Sequence, residues 1–352
     1  MHATNVPTAV VVDDSYFMRT VISDILESGG IEVVASARDG EEAFRIVAEQ
    51  SPDVVTMDVK MPGVDGLEAV TRIMESHPTP ILMLSAHTDE DAGVTFEAID
   101  RGAVDFFTKP GGEVSTGMTR FEEQLVRKVR AVAQSSVGVR AKQQPVAEHG
   151  IPVRDLESRP TLIVGSSTGG PHAVEQLLAV LPLAADFRVL IVQHMPTGFT
   201  ARFAERLDAA SAYAVREASD GTWIGGGEAV VARGGAHLLV SRYRRGRLRL
   251  ELSPEPPVHG VRPAIDPTMR SAASVVDDPL VAVVLTGMGS DGSEGVEHVK
   301  AAGGVTIAQD EGSSAVFGMP KRAIETGCVD VVAPISEIPR AVVEGITREA
   351  AA

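Results

Sequence analysis

Over residues 7–130, short apolar runs alternate with stretches in which apolar positions recur every three or four residues. The apolar runs predict strands at Ala9–Val12, Glu32–Ala37, Val54–Met57, Ile81–Leu84 and Val104–Phe107. The intervening stretches with helical spacing include Tyr16–Ser28, Gly40–Gln50 and Gly66–Ser76. Strands that alternate with helices are typical of a parallel sheet covered on both faces. We therefore predict an N-terminal α/β domain with a five-stranded parallel sheet over residues 7–130.

The same alternation returns after residue 158. A strand and a helix over TLIVGSSTGGPHAVEQLLAVL open this part of the chain. Further strands are predicted at Phe187–Val192, Ala214–Glu217, Glu228–Ala232, Leu280–Thr286 and Val305–Gln309, and further helices at Phe199–Ala210, Ala264–Ala273, Gly295–Ala302 and from near Pro339. Leu238–Ser241 and Arg247–Leu252 predict a hairpin around Arg245 and Gly246. We predict a C-terminal α/β domain over residues 159–350, with a mostly parallel, Rossmann-like sheet and a β-rich insert.

Residues 131–158 separate the two predicted domains. They mix Gln, Ser, Gly, Pro and charged residues without a sustained apolar period, which is typical of an interdomain linker. The start of the segment continues the helical pattern of Phe121–Val132. A length of 352 residues agrees with two domains.

Composition and charge exclude several functional classes. A formal net charge of −16 argues against a nucleic-acid partner, because such binding depends on neutralising phosphates. Cys328 is the only cysteine, so an intramolecular disulfide is impossible and a reducing compartment is expected. The apolar runs are far shorter than the roughly 20 residues of a membrane helix, and MHATNVPTAVVVDDS lacks the features of a signal peptide. We expect a cytoplasmic protein without membrane insertion.

Polar side chains follow four of the five predicted strands of the first domain. Asp13 and Asp14 follow the first strand, Asp58 the third, Ser85 the fourth and Lys109 the fifth. The carboxyl ends of parallel strands meet at one edge of a sheet. Carboxylates gathered there repel each other unless a hard cation such as Mg²⁺ binds them, and a carboxylate can also accept a phosphoryl group. Each residue taken alone has an ordinary explanation as a strand end or a helix cap.

The joint pattern resembles the receiver domain of two-component response regulators, over essentially all of residues 7–130. The resemblance implies a flavodoxin-like fold, with Asp58 as the phospho-acceptor and Asp13, Asp14 and Asp58 as the acidic pocket for Mg²⁺. It implies that Ser85 and Lys109 sense the phosphoryl group. A chemotaxis histidine kinase is the phosphodonor that the resemblance implies.

The second predicted domain opens with a strand, a tight turn and a helix. In TLIVGSSTGGPH, residues 161–172, an apolar run precedes Gly165, and Gly169 and Gly170 allow a sharp turn before Pro171. The serines of this turn lie beside the unpaired N–H groups of a helix start. Such a place suits either a bound anion or a serine nucleophile with its oxyanion.

Residues from three strand ends could form a serine hydrolase site, namely Ser166 or Ser167, His194 and Asp291. A serine nucleophile needs a base to take its proton and an acid to hold that base. Residues 165–169 fit G-x-S-x-G, although the order Ser, His, Asp differs from the α/β-hydrolase order. His194 as a core histidine and Asp291 as a helix cap are the ordinary alternatives.

A dinucleotide site is a further alternative for the later glycine-rich turn. GMGSDG, residues 287–292, follows a predicted strand, precedes a helix and is followed by Asp310, which is the context of a dinucleotide fingerprint. The carboxylate of Asp291 would point into the turn that has to hold the pyrophosphate, and this argues against the alternative.

Several stretches of this domain resemble the catalytic domain of chemotaxis protein-glutamate methylesterases. They are GSSTGGPHAVEQLL, IVQHMPTGFTARFAERL, RPAIDPTM, VLTGMGSDG and QDEGSSAVFGMPKRAIETG. With the receiver placed first, the resemblance covers nearly the whole chain. It implies hydrolysis of glutamate γ-methyl esters on methyl-accepting chemotaxis receptors, with release of methanol, and deamidation of receptor glutamine to glutamate.

The resemblance also implies a role for each matching residue. Ser167, which directly precedes Thr-Gly-Gly, would be the nucleophile, His194 the general base and acid, and Asp291 the residue that orients His194. The backbone N–H groups of Thr168 and Met288 would hold the oxyanion, and the esterase needs no cofactor.

Some alternatives stay open at this point. The family commonly has alanine at position 166, so Ser166 leaves an ambiguity about the nucleophile. A receiver-controlled receptor-binding module without turnover, or a hydrolase of small esters, would also fit. We further hypothesise that the receiver covers the esterase cleft until Asp58 is phosphorylated.

Overall fold

The computed structural model describes residues 6–86, 89–109, 118–135 and 159–349. The chain divides into two compact units, Met1–Lys142 and Gln143–Ala352. Most of the predicted linker, residues 136–158, lies outside the described residues. Among the described residues, each helix is too short or too polar to cross a membrane.

The first unit contains a five-stranded parallel sheet, as the sequence predicts. Its strands are β1 (Thr8–Val12), β2 (Glu32–Ala37), β3 (Val54–Asp58), β4 (Ile81–Ser85) and β5 (Asp105–Thr108), in the order β2-β1-β3-β4-β5. Its helices are α1 (Tyr16–Ser28), α2 (Gly40–Gln50), α3 (Gly66–Ser76), α4 (Asp89–Asp100) and α5 (Met118–Ala133). Every residue of β3 and β4 is buried, which is typical of central strands covered on both faces.

The first unit has the strand order of a flavodoxin-like sheet, with its switch between β1 and β3. Aspartates cap the helices that follow two of the strands. Asp39 accepts a hydrogen bond from the N–H of Glu42 at 2.9 Å, and Asp65 accepts one from Glu68 at 2.9 Å. These caps satisfy N–H groups that a helix cannot pair internally.

The second unit is built on a seven-stranded parallel sheet with a small antiparallel sheet beside it. The large sheet contains β6 (Thr161–Ser166), β7 (Arg188–Gln193), β8 (Ala214–Glu217), β10 (Glu228–Val231), β13 (Leu280–Val284), β14 (Val305–Gln309) and β15 (Val331–Ala333), in the order β15-β14-β13-β6-β7-β10-β8. The small sheet contains β9 (Trp223–Ile224), β11 (His237–Arg244) and β12 (Arg247–Ser253). The helices are α6 (Gly170–Val180), α7 (Phe199–Ala210), α8 (Ile265–Val275), α9 (Ser293–Ala301), α10 (Met319–Glu325) and α11 (Ile338–Glu349).

The predicted hairpin and the mostly parallel sheet are both confirmed. The turn at Arg245 and Gly246 joins β11 to β12, and both turn residues have positive φ, of 50° and 72°. Two of the short predicted strands, β8 and β10, belong to the large sheet, where β10 pairs with β7 and β8 pairs with β10. The β-rich insert is therefore smaller than the run of short predicted strands.

Strand β6 lies in the middle of the second unit. It pairs in parallel with β7 on one side and with β13 on the other, and all its residues are buried. From the neighbouring strands β6 and β13, the following strands are added on opposite sides, β7 next to β6 and β14 next to β13. The carboxyl ends of β6 and β13 therefore form a topological switch point. The loops after β6, β7 and β13 therefore open at one edge of the sheet.

Replacing Leu190 by alanine tests the core of the second unit. Leu190 on β7 is fully buried, whereas Leu183 is 45% exposed. Leu190→Ala is expected to lower the free energy of unfolding by about 2–5 kcal/mol, since it leaves a cavity, and Leu183→Ala by less than about 1 kcal/mol. Denaturant unfolding followed by Trp223 fluorescence measures both, because Trp223 is the only tryptophan in the chain. Equal effects of the two substitutions would contradict this packing.

Candidate active site

The carboxyl edge of the first sheet gathers the acidic residues that the sequence predicts. Carboxylate oxygens of Asp13, Asp14 and Asp58 all lie within 4.8 Å of one another. Asp13 is 1% exposed and Asp58 is 9% exposed. The Nζ of Lys109 lies 2.7 Å from Asp13 Oδ2 and 2.8 Å from Asp58 Oδ1. Two of the three clustered carboxylates thus share one ammonium group.

The charges in this pocket are only partly balanced. Burial raises the pKa of Asp58, and the hydrogen bond and charge of Lys109 do not fully offset it. Burial lowers the pKa of Lys109, but its hydrogen bonds to Asp13 and Asp58 outweigh that effect and raise its pKa overall. A site of clustered carboxylate oxygens with surplus negative charge fits a hard divalent cation such as Mg²⁺.

Ser85 lies at the end of β4 and is fully buried. Its Oγ accepts a hydrogen bond from the hydroxyl of Thr95 on α4 at 3.0 Å and donates one to the carbonyl of Ala86 at 3.2 Å. The N–H of Lys109 donates to the Ser85 carbonyl at 2.8 Å. Thr95 was not identified from the sequence, because it lies within a helix away from any strand end.

The two serines of the turn after β6 lie in different environments. Ser166 is fully buried, and its hydroxyl donates to Gln193 Oε1 at 2.6 Å. Ser167 is 9% exposed, and its N–H donates to the carbonyl of Thr286 at 3.0 Å. The amide of Gln193 also donates to the Ser167 carbonyl at 2.9 Å. Ser166 therefore has a structural partner, whereas the side chain of Ser167 lies at the turn itself.

His194 and Ser167 occupy matching positions beyond two neighbouring strands. Ser166 pairs with Gln193 in the register of β6 and β7, and the N–H of His194 donates to the Ser166 carbonyl at 3.0 Å. Paired strands lie about 4.8 Å apart. Within the described residues, the Ser167 hydroxyl has no hydrogen bond to His194, whose Nε2 lies 2.7 Å from Asp291 Oδ2. The Nδ1 of His194 is the nitrogen left for Ser167.

Asp291 is a buried carboxylate surrounded by donors. Besides His194, its Oδ2 accepts from the N–H of Ile265 at 2.7 Å, and its Oδ1 accepts from Asp266 at 3.0 Å and Gly292 at 3.0 Å. Burial opposes the charge of Asp291, but the hydrogen bond and charge of His194, together with these N–H groups, lower its pKa. Asp291 thus stays ionised and fixes the ring of His194.

The backbone beside Ser167 offers unpaired donors. Among the described residues, the N–H groups of Thr168 and Met288 donate no hydrogen bond. A Cβ on Gly287 would lie 2.8 Å from the Cβ of Ser167 and 2.5 Å from the sulfur of Met319. Gly287 therefore lets the loop after β13 approach Ser167 closely, which brings Met288 next to the turn. Two N–H groups in such a position can hold an oxyanion.

The geometry argues against a dinucleotide at residues 287–292. The N–H of Gly292 is bonded to the carboxylates of Asp291 and Asp266, at 3.0 Å and 2.9 Å. A donor that a phosphate would need is thus already used by buried negative charges. Asp310, the other residue of that alternative, instead accepts from the N–H and hydroxyl of Ser313, at 3.0 Å and 2.6 Å.

Residues that the sequence did not single out support the site from behind. Gln193 joins both serines, and Gln309 Oε1 accepts from the N–H of Thr286 at 2.7 Å. Buried Asp266 and solvent-exposed His259 form a second acid–histidine pair next to Asp291. Gln193, Asp266 and Gln309 lie within the stretches that resemble the family, but the sequence assigns them no role, because their contacts join distant segments.

Residues 162–342 match the family model of the CheB methylesterase, and residues 9–115 match that of the response regulator receiver domain. A protein-glutamate methylesterase/protein-glutamine glutaminase of Haloarcula marismortui is 57% identical over 97% of this chain and 98% of its own length. The protein of the same name from Pyrococcus horikoshii is 42% identical over 96% of this chain and 93% of its own length. The solved structure of the Thermotoga maritima CheB methylesterase catalytic domain is 39% identical, covers 54% of this chain and 99% of its own, and has a TM-score of 0.51.

The acidic pocket of the first unit predicts pH-dependent binding of Mg²⁺. Asp58→Asn removes one of three clustered carboxylates and should weaken Mg²⁺ binding about tenfold or more. In the wild type, the raised pKa of Asp58 means that protons compete with the metal at a higher pH than for an ordinary aspartate. Calorimetric titration with Mg²⁺ at several pH values measures both effects. Asp65→Asn removes a carboxylate outside this cluster but keeps an oxygen that can cap α3, and it is the matched control; if it weakened binding equally, the site would lie elsewhere.

Proposed function

The chain belongs to the CheB methylesterase family and carries a response regulator receiver domain, and from this premise we propose a phosphorylation-regulated ester hydrolase. Its second unit hydrolyses the γ-methyl esters of glutamate side chains on methyl-accepting chemotaxis receptors and releases methanol. The same site deamidates receptor glutamine to glutamate.

The proposed reaction begins at Ser167. Its Oγ attacks the ester carbonyl carbon while the Nδ1 of His194 takes the hydroxyl proton. The negative charge that develops on the carbonyl oxygen is held by the N–H groups of Thr168 and Met288. His194 returns the proton to the departing methoxide, and methanol leaves an acyl-enzyme on Ser167. Water then attacks the acyl group with His194 as the base, which regenerates Ser167 and yields glutamate.

This proposal rests on the buried pair of His194 and Asp291. The pair lies one strand away from Ser167, whose hydroxyl has no hydrogen bond among the described residues. The pair lies 2.7 Å apart, and the lowered pKa of Asp291 keeps a negative charge beside the ring. That charge stabilises the imidazolium that forms when Ser167 loses its proton. The hydroxyl of Ser166 is already bonded to Gln193, so Ser167 is the serine available for attack.

Deamidation follows from the same arrangement. An amide carbonyl is attacked in the same way, and His194 gives its proton to the amide nitrogen, which then leaves as ammonia. The curated relatives carry both activities in their names, which supports extending the proposal to glutamine side chains.

Ser167→Ala and Ser166→Ala form a matched pair that tests the nucleophile. Ser167→Ala should lower methanol release by about 10³-fold or more, since removal of a triad member leaves only residual catalysis. Ser166→Ala loses one buried hydrogen bond, worth about 1 kcal/mol of stability, and should retain most of the activity. The assay is methanol release from membranes that carry methylated receptors. Loss of activity in Ser166→Ala alone would overturn the assignment, and no release from the wild type would favour a receptor-binding module without turnover.

The first unit is the proposed switch. Asp58 accepts a phosphoryl group from a chemotaxis histidine kinase, and Lys109 and Ser85 then bind the phosphoryl oxygens. Asp13, Asp14 and Asp58 are the residues that would hold Mg²⁺, which supplies positive charge for this transfer when bound. Two observations support this role, namely the surplus of negative charge around Lys109 and the match to the receiver family. Phosphorylation then relieves an inhibition that the receiver exerts on the esterase.

Asp58→Asn separates the switch from the chemistry. A small-molecule phosphodonor with Mg²⁺ should raise methanol release by the wild type several-fold, because a new doubly charged group shifts the receiver between states. Asp58→Asn should keep the basal rate and lose this response. The control is Asp53→Asn, which changes an acid that pairs with Thr8 outside the pocket and should leave the response intact. A full response in Asp58→Asn would show that another residue carries the switch.

A further inference from the structure

A second acid–histidine pair lies directly behind the first one. The Nε2 of His259 is 2.8 Å from Asp266 Oδ2. Asp266 is 2% exposed, whereas the side chain of His259 is 30% exposed and reaches solvent. The pair is therefore accessible to protons from water at one end and buried at the other.

Asp266 and Asp291 are linked through a shared donor. The N–H of Gly292 donates to Asp266 Oδ1 at 2.9 Å and to Asp291 Oδ1 at 3.0 Å. Asp266 Oδ1 also accepts from the N–H of Gly295 at 2.7 Å. Carboxylate oxygens of the two aspartates lie within 4.8 Å of each other. The position of Asp291 thus depends directly on Asp266.

The two carboxylates cap each other's helices. Asp291 precedes α9 and accepts the N–H groups of Ile265 and Asp266 at the start of α8. Asp266 lies in the first turn of α8 and accepts the N–H groups of Gly292 and Gly295 at the start of α9. Neither helix has a side-chain cap from its own N-cap residue. This exchange holds Asp291, and through it His194, in one orientation.

Opposing influences act on the pKa of Asp266. Burial and the neighbouring charge of Asp291 raise the pKa of Asp266 to about 6, although the N–H of Gly295 and the bond to His259 act in the opposite direction. Above that pH both aspartates are ionised. Below it, Asp266 is neutral and its field at the neighbouring pair is lost.

Other titratable groups near the starts of α8 and α9 do not compensate the charge of Asp266. The ring nitrogens of His237 on β11 are both bonded to backbone, Nδ1 to the N–H of Ala264 and Nε2 to the carbonyl of Pro256, each at 3.1 Å. Glu294 in the first turn of α9 is exposed, and solvent screens its charge. His259, Asp291 and, beyond Asp291, His194 are the groups that face Asp266.

We propose that Asp266 is a positioning residue for the hydrolysis, acting through Asp291 on His194, and that His259 balances its charge from the solvent side. This inference rests on the proposed function, because it takes His194 as the base. An ionised Asp266 adds negative charge behind Asp291 and favours the imidazolium of the transition state. As the pH falls towards about 6, protonation of Asp266 removes that help. The ionisation of Asp266 therefore contributes to the acid limb of the pH profile.

Asp266→Asn in the full-length protein is the direct test. Asparagine keeps the Oδ1 acceptor for Gly292 and Gly295 but has no charge. The variant should lower kcat for methanol release roughly 5- to 30-fold at pH 8, as a nearby charge of this kind is worth about 1–2 kcal/mol. KM should stay the same, and the acid limb should move to lower pH, because the ionisation of residue 266 no longer contributes to it. Asp208→Asn, which removes a carboxylate bonded to the N–H of Val215, should change neither kcat nor the profile.

His259→Gln provides a second test, which remains informative even if Asp266→Asn fails to fold. Glutamine can still donate to Asp266, but it carries no charge at low pH. Asp266 should then gain its proton more readily, so the acid limb should move to higher pH, opposite to Asp266→Asn. A merely structural role predicts no opposite shifts. Parallel shifts, or unchanged profiles in both variants, would overturn the proposal.

Ser167→Ala measured alongside separates the two levels of inference. If the wild type releases methanol and Ser167→Ala does not, the proposed function holds whatever Asp266 does. If Ser167→Ala remains active, His194 has lost its assigned role, and the positioning role of Asp266 falls with it.

Discussion

The second unit is arranged around one constraint. Asp291 has to keep its negative charge although water is almost excluded from it. Burial alone would protonate this side chain, and four donors prevent it: His194 and the N–H groups of Ile265, Asp266 and Gly292. These donors come from the end of β7, the start of α8 and the loop before α9. A single buried carboxylate thus holds three segments that are distant in the sequence. The positive ends of helix dipoles supply part of the compensation.

Asp58 in the first unit meets the same difficulty with a different outcome. Its main compensating partner is the ammonium of Lys109, together with one N–H from Val59, and its pKa stays raised. Backbone donors are fixed, so a carboxylate that they surround keeps its charge throughout a reaction. An ammonium on a flexible stem can move aside for a cation or a phosphoryl group. The weaker compensation suits the phosphorylation proposed for Asp58, whereas the stronger one suits the unchanging charge proposed for Asp291.

Most of the fold could be predicted from the sequence, because fully buried parallel strands appear as continuous apolar runs. Several helices, such as Phe199–Ala210, begin and end where their spacing predicts. The two-residue strand β9 and the short helix α10 were not predicted, since so few residues show no periodicity. The strand-end residues were predicted as candidates because parallel sheets place chemistry there, and the structure brings these strand ends to common edges. Thr95, Gln193 and Asp266 were missed, because each acts through a contact that only the folded chain creates.

Gly287 shows how a backbone position can matter as much as a side chain for this site. The turn after β6 and the loop after β13 approach so closely that any Cβ at position 287 would overlap Ser167 and Met319. The carbonyl of Gly287 also accepts the N–H groups of Gly318 and Met319, at 3.0 Å and 2.7 Å, which fastens the loop to the start of α10. The unpaired N–H of Met288 is thereby held beside the turn of Ser167. A serine at a strand end is common, but a serine with a second loop packed against its backbone has the donors that acyl transfer requires.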